Sequence, residues 1–139
     1  MLKLTKREIF KLNKNLKIDN LLNRIAEGFV QSFDDGIAIS RDINNKKFAP
    51  LKPATIKKKG HKRPLDDQGK MKKVYVKKKA TKSSKKATIS MNRRDREVPS
   101  IVHNQGLGFQ KKREWFGVGK VQKAIGKEEA RIHIRRALK

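Results

Sequence analysis

Hydrophobic residues recur at helical spacing through the first third of the chain and predict two N-terminal helices. Thr5 and Glu8 have the spacing of a capping box, and Ile9, Leu12 and Leu16 follow on one face. A second helix is predicted to begin near Asp19, a residue suited to the N-cap position. Its apolar positions recur every three or four residues, at Leu21, Leu22, Ile25, Phe29 and Phe33. This spacing is typical of a helix with one side facing a core.

The periodic pattern breaks at residue 46, where prolines and glycines interrupt the chain. The stretch FAPLKPATIKKKGHKRPLDDQGKM contains three of the four prolines, so only short elements are predicted there. Pro53 suits the start of a single helical turn, because its missing N–H is not needed at that position. Residues 74–76 and 87–90 are short β-favouring runs on either side of KKKATKSSKK. They predict an antiparallel hairpin with a mobile, lysine-rich tip.

The C-terminal third predicts one further helix. Residues 97–105 favour a short helix or strand that Gly106 ends. In the tail KEEARIHIRRALK, Glu128 and Glu129 are predicted in the first helical turn, and arginines in the last, which suits the helix dipole. Gly126 is predicted to separate this helix from the turn before it. The pattern as a whole predicts an α+β fold, with N-terminal amphipathic helices packed on a small antiparallel hairpin and a short C-terminal helix.

Length and composition predict a single domain with a modest core. The chain has 139 residues, of which 35% are hydrophobic and 37% charged, so assistance from a partner or from self-assembly is expected. We divide it into an N-terminal helix or arm at 1–17, a central region at 18–119 that contains the lysine-rich hairpin at 72–91, and a helical tail at 120–139. The chain has no cysteine, which excludes disulfides and thiolate metal sites. Charged residues interrupt the N-terminus too often for a signal peptide, and no apolar run is long enough to span a bilayer.

The formal net charge of +25 indicates an anionic partner. Residues 46–96 carry 20 basic and 3 acidic residues, a net of +17, so the middle of the chain contributes most of the charge. A solvated, solubilising face and a contact with nucleic acid or an acidic protein are both open interpretations of this charge. The candidate contact residues are Lys57, Lys58, Lys59, Lys77, Lys78, Lys79, Lys85, Lys86, Arg93 and Arg94.

Motifs for catalysis or cofactor binding are weak. The three histidines stand in unrelated contexts, and no serine has the surroundings of a nucleophile. Asp66 and Asp67 form the only acidic pair within the basic third, fewer carboxylates than a metal nuclease needs. The two Gly-x-Gly pairs at 106–108 and 117–119 lack the context of a phosphate-binding loop and predict turns. We therefore expect no enzyme, no cofactor, no metal and no catalytic residue.

Four short motifs stand in a definite order. The helix segment RIAEGFVQSF is followed by FAPLKPATIKKK, RPLDDQGKM, IVHNQG and REWFGVG. This order resembles the virion morphogenesis family of tailed phages and prophages, the tail-completion or neck proteins, over roughly residues 18–119. Phe48 stands where that family has tryptophan, and the last motif is shifted by one residue. The matching positions are Phe48, Pro50, Leu51, Thr55, Pro64, Leu65, Gly69, His103, Asn104, Gly106, Arg113 and Phe116.

The resemblance implies a structural protein in the virion, assembled in the host cytoplasm. Such proteins form a ring, expected to be six-fold, at the head–tail junction, where they end tail assembly and allow the tail to join the head. The implied partners are portal or adaptor proteins, tail terminator or tail-tube proteins, and genomic DNA in the channel, with no membrane. The motifs would then bury Leu51 and Leu65 against Phe29 and Phe33, and His103 and Asn104 would satisfy backbone groups near Gly106. The alternative is a nucleic-acid-binding protein of the ribosomal or nucleoid type, without sequence specificity.

Overall fold

The elements follow the predicted order of helices, hairpin and C-terminal helix. The computed structural model describes residues 5–65, 74–91, 102–108 and 111–139. Its elements are α1 (Lys6–Asn15), α2 (Ile18–Ala38), α3 (Pro53–Lys59), β1 (Val74–Lys78), β2 (Thr88–Met91) and α4 (Lys120–Leu138). Residues 102–105 add one helical turn. The fold is therefore α+β, as the sequence predicts.

The capping box at the start of α1 is confirmed. Thr5 Oγ1 accepts a hydrogen bond from the backbone N–H of Glu8 at 3.3 Å. The Glu8 carboxylate accepts in return from the backbone N–H of Thr5 at 2.8 Å. The Thr5 N–H and the Thr5 hydroxyl, at 2.8 Å, both donate to this carboxylate and lower the pKa of Glu8, because they favour its charged form. At the other end of α1, the Asn15 amide donates to the carbonyl of Ala137, which joins α1 to the end of α4.

Helix α2 supplies much of the core. It runs for 21 residues and buries Ala26, Phe33 and Ile37. The predicted N-cap was wrong by two positions, because Lys17 occupies the cap without a side-chain hydrogen bond. Asp19 lies instead in the first turn, where a carboxylate is favourable to the helix dipole.

The hairpin is confirmed as an antiparallel pair. Val74 lies opposite Met91 and Val76 opposite Ile89, and the register shifts between Val76 and Lys78. Val74 is buried, whereas Tyr75 on the opposite face is exposed. The alternation places one face of the sheet on α2 and leaves the other to solvent.

Helix α4 corrects two expectations. It is one continuous helix of 19 residues, so Gly126 does not separate two elements and the helix is not short. Glu128 and Glu129 consequently lie in its middle and not in its first turn. Glu129 accepts a hydrogen bond from Arg24 of α2 at 2.8 Å. A Cβ atom on Gly28 of α2 would lie 2.9 Å from Ile125, so the two helices pack closely at this point.

The core collects buried side chains from segments far apart in sequence. It consists of Phe33, Ile37, Phe48, Leu65, Val74 and Trp115, with Phe29 packed against it. Leu65 is buried in the same cluster as Phe33, so its predicted burial is confirmed. Leu51, expected in the same place, is only half-buried.

Candidate functional site

Arg113 links two of the sequence motifs through buried hydrogen bonds. Its side chain is 5% exposed. The guanidinium donates to the carbonyls of Ala49 at 3.1 Å, Pro50 at 3.4 Å and Lys111 at 3.4 Å. Burial lowers the pKa of Arg113, because desolvation disfavours the charged form. Arg113 is one of the positions that match the family motifs, and the structure adds that two of its partners are backbone carbonyls of the FAPL motif.

Asn104 links the IVHNQG and REWFGVG motifs. Its side-chain amide donates to the carbonyl of Phe116 at 3.0 Å, and its oxygen accepts from the N–H of Phe116 at 3.1 Å. Both bonds go to one backbone unit, so the side chain acts as a two-point clip. The expectation that Asn104 would satisfy backbone groups near Gly106 was therefore wrong about the partner. We refer to Ala49, Pro50, Asn104, Arg113 and Phe116 as the motif junction.

Gly106 ends the helical turn at 102–105, as predicted. Its N–H donates to the carbonyl of Val102 at 2.9 Å, and its φ angle is +71°. A Cβ atom at this position would lie 2.8 Å from Lys112. The left-handed backbone and the close approach both require glycine.

His103 lies beside the motif junction and supports it through the backbone. Its carbonyl accepts from the N–H of Arg113 at 2.8 Å, so the expected backbone role belongs to its main chain. The half-buried imidazole has no hydrogen-bond partner for Nδ1 among the described residues. Burial, Arg113 and Lys59 lower the pKa of His103 below 6.5, so the neutral ring is favoured.

The remaining motif positions divide between core and surface. Phe48 and Leu65 are 8% and 5% exposed and belong to the core, and Phe116 contacts Phe33 with ring centroids 4.9 Å apart. Pro64 is buried, Thr55 is half-buried and Pro50 is exposed. Gly69 lies outside the described residues. The motif positions thus contribute to the fold far more than to an open pocket.

The tip of the hairpin is tied to α2, although the sequence predicts a mobile tip. Ala80 is buried, and its N–H and carbonyl both bond to the side chain of Asn23, at 2.7 and 3.0 Å. Thr81 and Ser84 then close a turn through their hydroxyls. The candidate lysines of this hairpin, Lys77, Lys78, Lys79, Lys85 and Lys86, are all exposed. The structure therefore presents them from an anchored turn.

The second group of candidate lysines lies on the last turn of α3. Lys57 and Lys58 are exposed and Lys59 is half-buried. Cations are favourable at this end of a helix, and Gly60 ends it with φ of +75°. The confirmed helical start at Pro53 fixes their position. Arg93 and Arg94 lie outside the described residues.

Gln122 is a structural residue that the sequence reasoning missed. It is 1% exposed, accepts from the N–H of Gly119 at 3.1 Å and donates to Ser32 of α2 at 3.0 Å. It stands three residues after the N-cap, the position from which Glu or Gln reaches back in a capping box. This spacing could have indicated the role of Gln122, but the sequence predicts that the C-terminal helix begins only after Gly126.

Among the residues that the structure describes, no three histidine or acidic side chains lie together as a metal site would require. No described helix combines the length and apolar character needed to cross a membrane.

Comparisons with protein-family models, with curated proteins and with solved structures each gave no match. The family resemblance therefore remains a prediction that depends on the motif residues.

Proposed function

We propose that this chain is a structural virion protein of a tailed phage or prophage, which forms a ring at the head–tail junction. The observation that carries the proposal is the motif junction. Arg113 binds the FAPL motif, Asn104 binds the REWFGVG motif, and Leu65 of the RPLDDQGKM motif lies in the core. The motifs whose order resembles that of the family are thus in contact with one another, as is expected of residues that together specify one fold.

The chemistry of the junction supports a structural role. Both of its polar side chains direct their hydrogen bonds to backbone groups, which places them in a rigid frame. Buried polar groups fully committed to backbone partners stabilise a particular chain path. Function in such a protein lies on its outer surfaces, where rings and partners meet.

The exposed lysines give those surfaces their charge. In the proposed ring, the anchored hairpin tip and the end of α3 face an acidic neighbour: an adjoining ring, such as a portal, adaptor, terminator or tail-tube protein, or the DNA in the channel. Lys82, Lys85 and Lys86 lie between the two strands, and all three are exposed.

Self-association without nucleic acid tests the proposal. The protein, stripped of nucleic acid by nuclease and high salt, is examined by mass photometry and negative-stain microscopy. The expected result is a closed ring of one size, six-fold by the resemblance. A monomer at micromolar concentration that binds duplex DNA or RNA at nanomolar strength would contradict it.

The exposed lysines also favour a second candidate, a nucleic-acid-binding protein without sequence specificity. Their contacts would reach phosphates, and affinity would fall steeply with salt. The test replaces five hairpin lysines with glutamine: Lys77, Lys78, Lys79, Lys85 and Lys86. A matched control replaces five exposed lysines elsewhere: Lys111, Lys120, Lys123, Lys127 and Lys139.

The two variants lose the same charge, so they separate a local contact from a general field effect. If the second candidate is right, the hairpin variant loses far more DNA affinity and salt dependence than the control. If the ring proposal is right, both variants assemble as the wild type does. Thermal unfolding should remain unchanged in both, since the replaced side chains are exposed.

A further inference from the structure

A cleft of about 240 Å³ lies at one end of the helix pair. The C-terminal half of α2, the segment after it and the first turns of α4 surround it. Its apolar lining residues are Phe33, Ile39, Ile43, Trp115, Val121 and Ile125. Ile39 is 62% exposed, so apolar surface continues outward from the cleft.

A projecting apolar side chain lies on α1. Phe10 is 71% exposed and Ile9 beside it is 47% exposed. Helix α1 is held against the end of α4, where Asn15 donates to Ala137. Phe10 therefore extends from a helix that is fixed in place.

The two apolar features lie at opposite ends of α4. Gln122 and Ile125 line the cleft and Ala137 binds α1, so the cleft and the α1 contact are separated by about 18–22 Å along the helix, at 1.5 Å per residue. Phe10 cannot enter the cleft of its own chain while α1 keeps its contact with α4. A Phe10 side chain that enters this cleft therefore comes from another copy.

Charge distinguishes these two surfaces from the rest of the chain. Helix α1 carries four basic residues and one acidic residue, a net of +3. Residues 25–45, which include one wall of the cleft, carry four acidic residues and one basic residue, a net of −3 in a chain of +25. Among the charged residues that line the cleft, Asp35 and Asp42 outnumber Arg41, a net of −1. A basic helix with an apolar residue thus complements a cleft with a net negative lining and an apolar floor.

We propose that α1 of one copy docks on the next copy, with Phe10 inserted into the cleft. The inference rests on the proposed ring and names its subunit contact. A cavity of roughly 150 Å³ accommodates a benzene ring, so the cleft has room for the phenyl group. Because the two surfaces differ, the contact is heterologous, and a heterologous contact repeats from copy to copy until the ring closes.

Variants of each surface test the contact. Phe10→Glu removes the apolar side chain and places a negative charge against the acidic cleft. Ile39→Arg blocks the mouth and repels the basic helix. Leu107→Glu is the matched control, an apolar residue that is 48% exposed and outside both surfaces. Sedimentation velocity over a concentration series, with circular dichroism to check folding, should show monomers for the first two and wild-type assembly for the control.

Mixing the two defective variants gives the sharper result. Phe10→Glu retains an intact cleft and Ile39→Arg retains an intact α1, so an equimolar mixture should form heterodimers and nothing larger. A mixture that stays monomeric overturns the proposal, as does assembly by Phe10→Glu alone. If Phe10→Glu fails to fold, Phe10→Ala is the variant that decides, since alanine preserves the helix. It should weaken association roughly tenfold to hundredfold. Association as strong as that of the wild type would overturn the contact.

The outcomes separate this contact from the function on which it rests. Wild-type rings that persist in Phe10→Glu overturn the contact and leave the ring proposal standing. A wild-type chain that remains monomeric at every concentration overturns both. As a direct check, cysteines at Ile9 and Ile39 of this cysteine-free chain should form disulfides between copies, and a failure to cross-link in assembled rings contradicts the docking.

Discussion

Replacing Arg113 should destabilise the fold although none of its hydrogen-bond acceptors among the described residues is acidic. The side chain is 5% exposed and donates to three carbonyls, of which the one at 3.1 Å from Ala49 has ordinary hydrogen-bond length. A hydrogen bond from a charged donor contributes about 1.5–3 kcal/mol, and the two bonds at 3.4 Å contribute less. Loss of the packed stem adds to this, so Arg113→Ala should lower the free energy of unfolding by about 2–4 kcal/mol.

Urea denaturation provides the measurement, and Trp115 provides the probe. It is the only tryptophan, it is 2% exposed, and it is two residues from the substitution. With a slope of about 1–3 kcal/mol per molar urea, the midpoint should fall by roughly 1–2 M. The exposed Arg135→Ala is the control and should change stability by less than about 0.5 kcal/mol.

Arg113→Met separates the hydrogen bonds from the packing, because methionine keeps a long apolar stem. It should still cost about 1–2 kcal/mol, since the carbonyl of Ala49 loses its donor while the cost of burying a charge disappears. A methionine variant as stable as the wild type would refute the reasoning. The desolvation of the guanidinium would then cancel everything that its hydrogen bonds contribute.

Three further predictions concern single positions. Gly119→Ala should destabilise by about 2–3 kcal/mol in urea unfolding, because the new Cβ atom would overlap the carbonyl oxygen of Ile43. Gly126→Ala, whose new Cβ atom has nothing within 4 Å, should stabilise by about 0.5–1 kcal/mol, and equal effects of the two substitutions would contradict the packing. Asn104→Ala should cost about 1–3 kcal/mol, because it leaves a backbone N–H and carbonyl unpaired, and wild-type stability would contradict the clip. His103→Gln should flatten the pH dependence of the free energy of unfolding measured in urea. The stability that neutral His103 contributes in the wild type is complete above pH 6.5 and is lost as the pH falls from there through the lowered pKa of the folded state. An unchanged slope of unfolding free energy against pH would exclude His103 as a source of the pH dependence.

Local sequence chemistry predicted the elements whose causes are themselves local. The capping box at Thr5, the proline start of α3 and the glycine end after residue 105 each depend on a few adjacent residues. The apolar period of α2 and the β-branched runs of the hairpin likewise predict their own buried faces. These features hold because capping, proline geometry and periodic burial require no knowledge of distant contacts.

The errors occurred where distant packing overrides local preference. Glycine in mid-helix is unfavourable by about 0.5–1 kcal/mol, and for this reason the sequence predicts a break in the C-terminal helix at Gly126. Contact with α2 through Ile125 and Glu129 accompanies an unbroken helix across that position. The lysine-rich tip was similarly interpreted from composition alone, whereas Asn23, far earlier in the chain, fixes Ala80.

The sequence by itself determined the α+β class, the positions of the main elements, the basic character of the middle third and the order of the motifs. Only the tertiary structure decided that Arg113 bonds to the carbonyls of Ala49 and Pro50, that Asn104 clips Phe116, and that an acidic cleft stands at the opposite end of α4 from Phe10. The reason is sequence distance. These hydrogen bonds of Asn104 and Arg113 join residues 12 to 64 positions apart, and no periodicity or turn chemistry specifies which backbone group a buried side chain will meet.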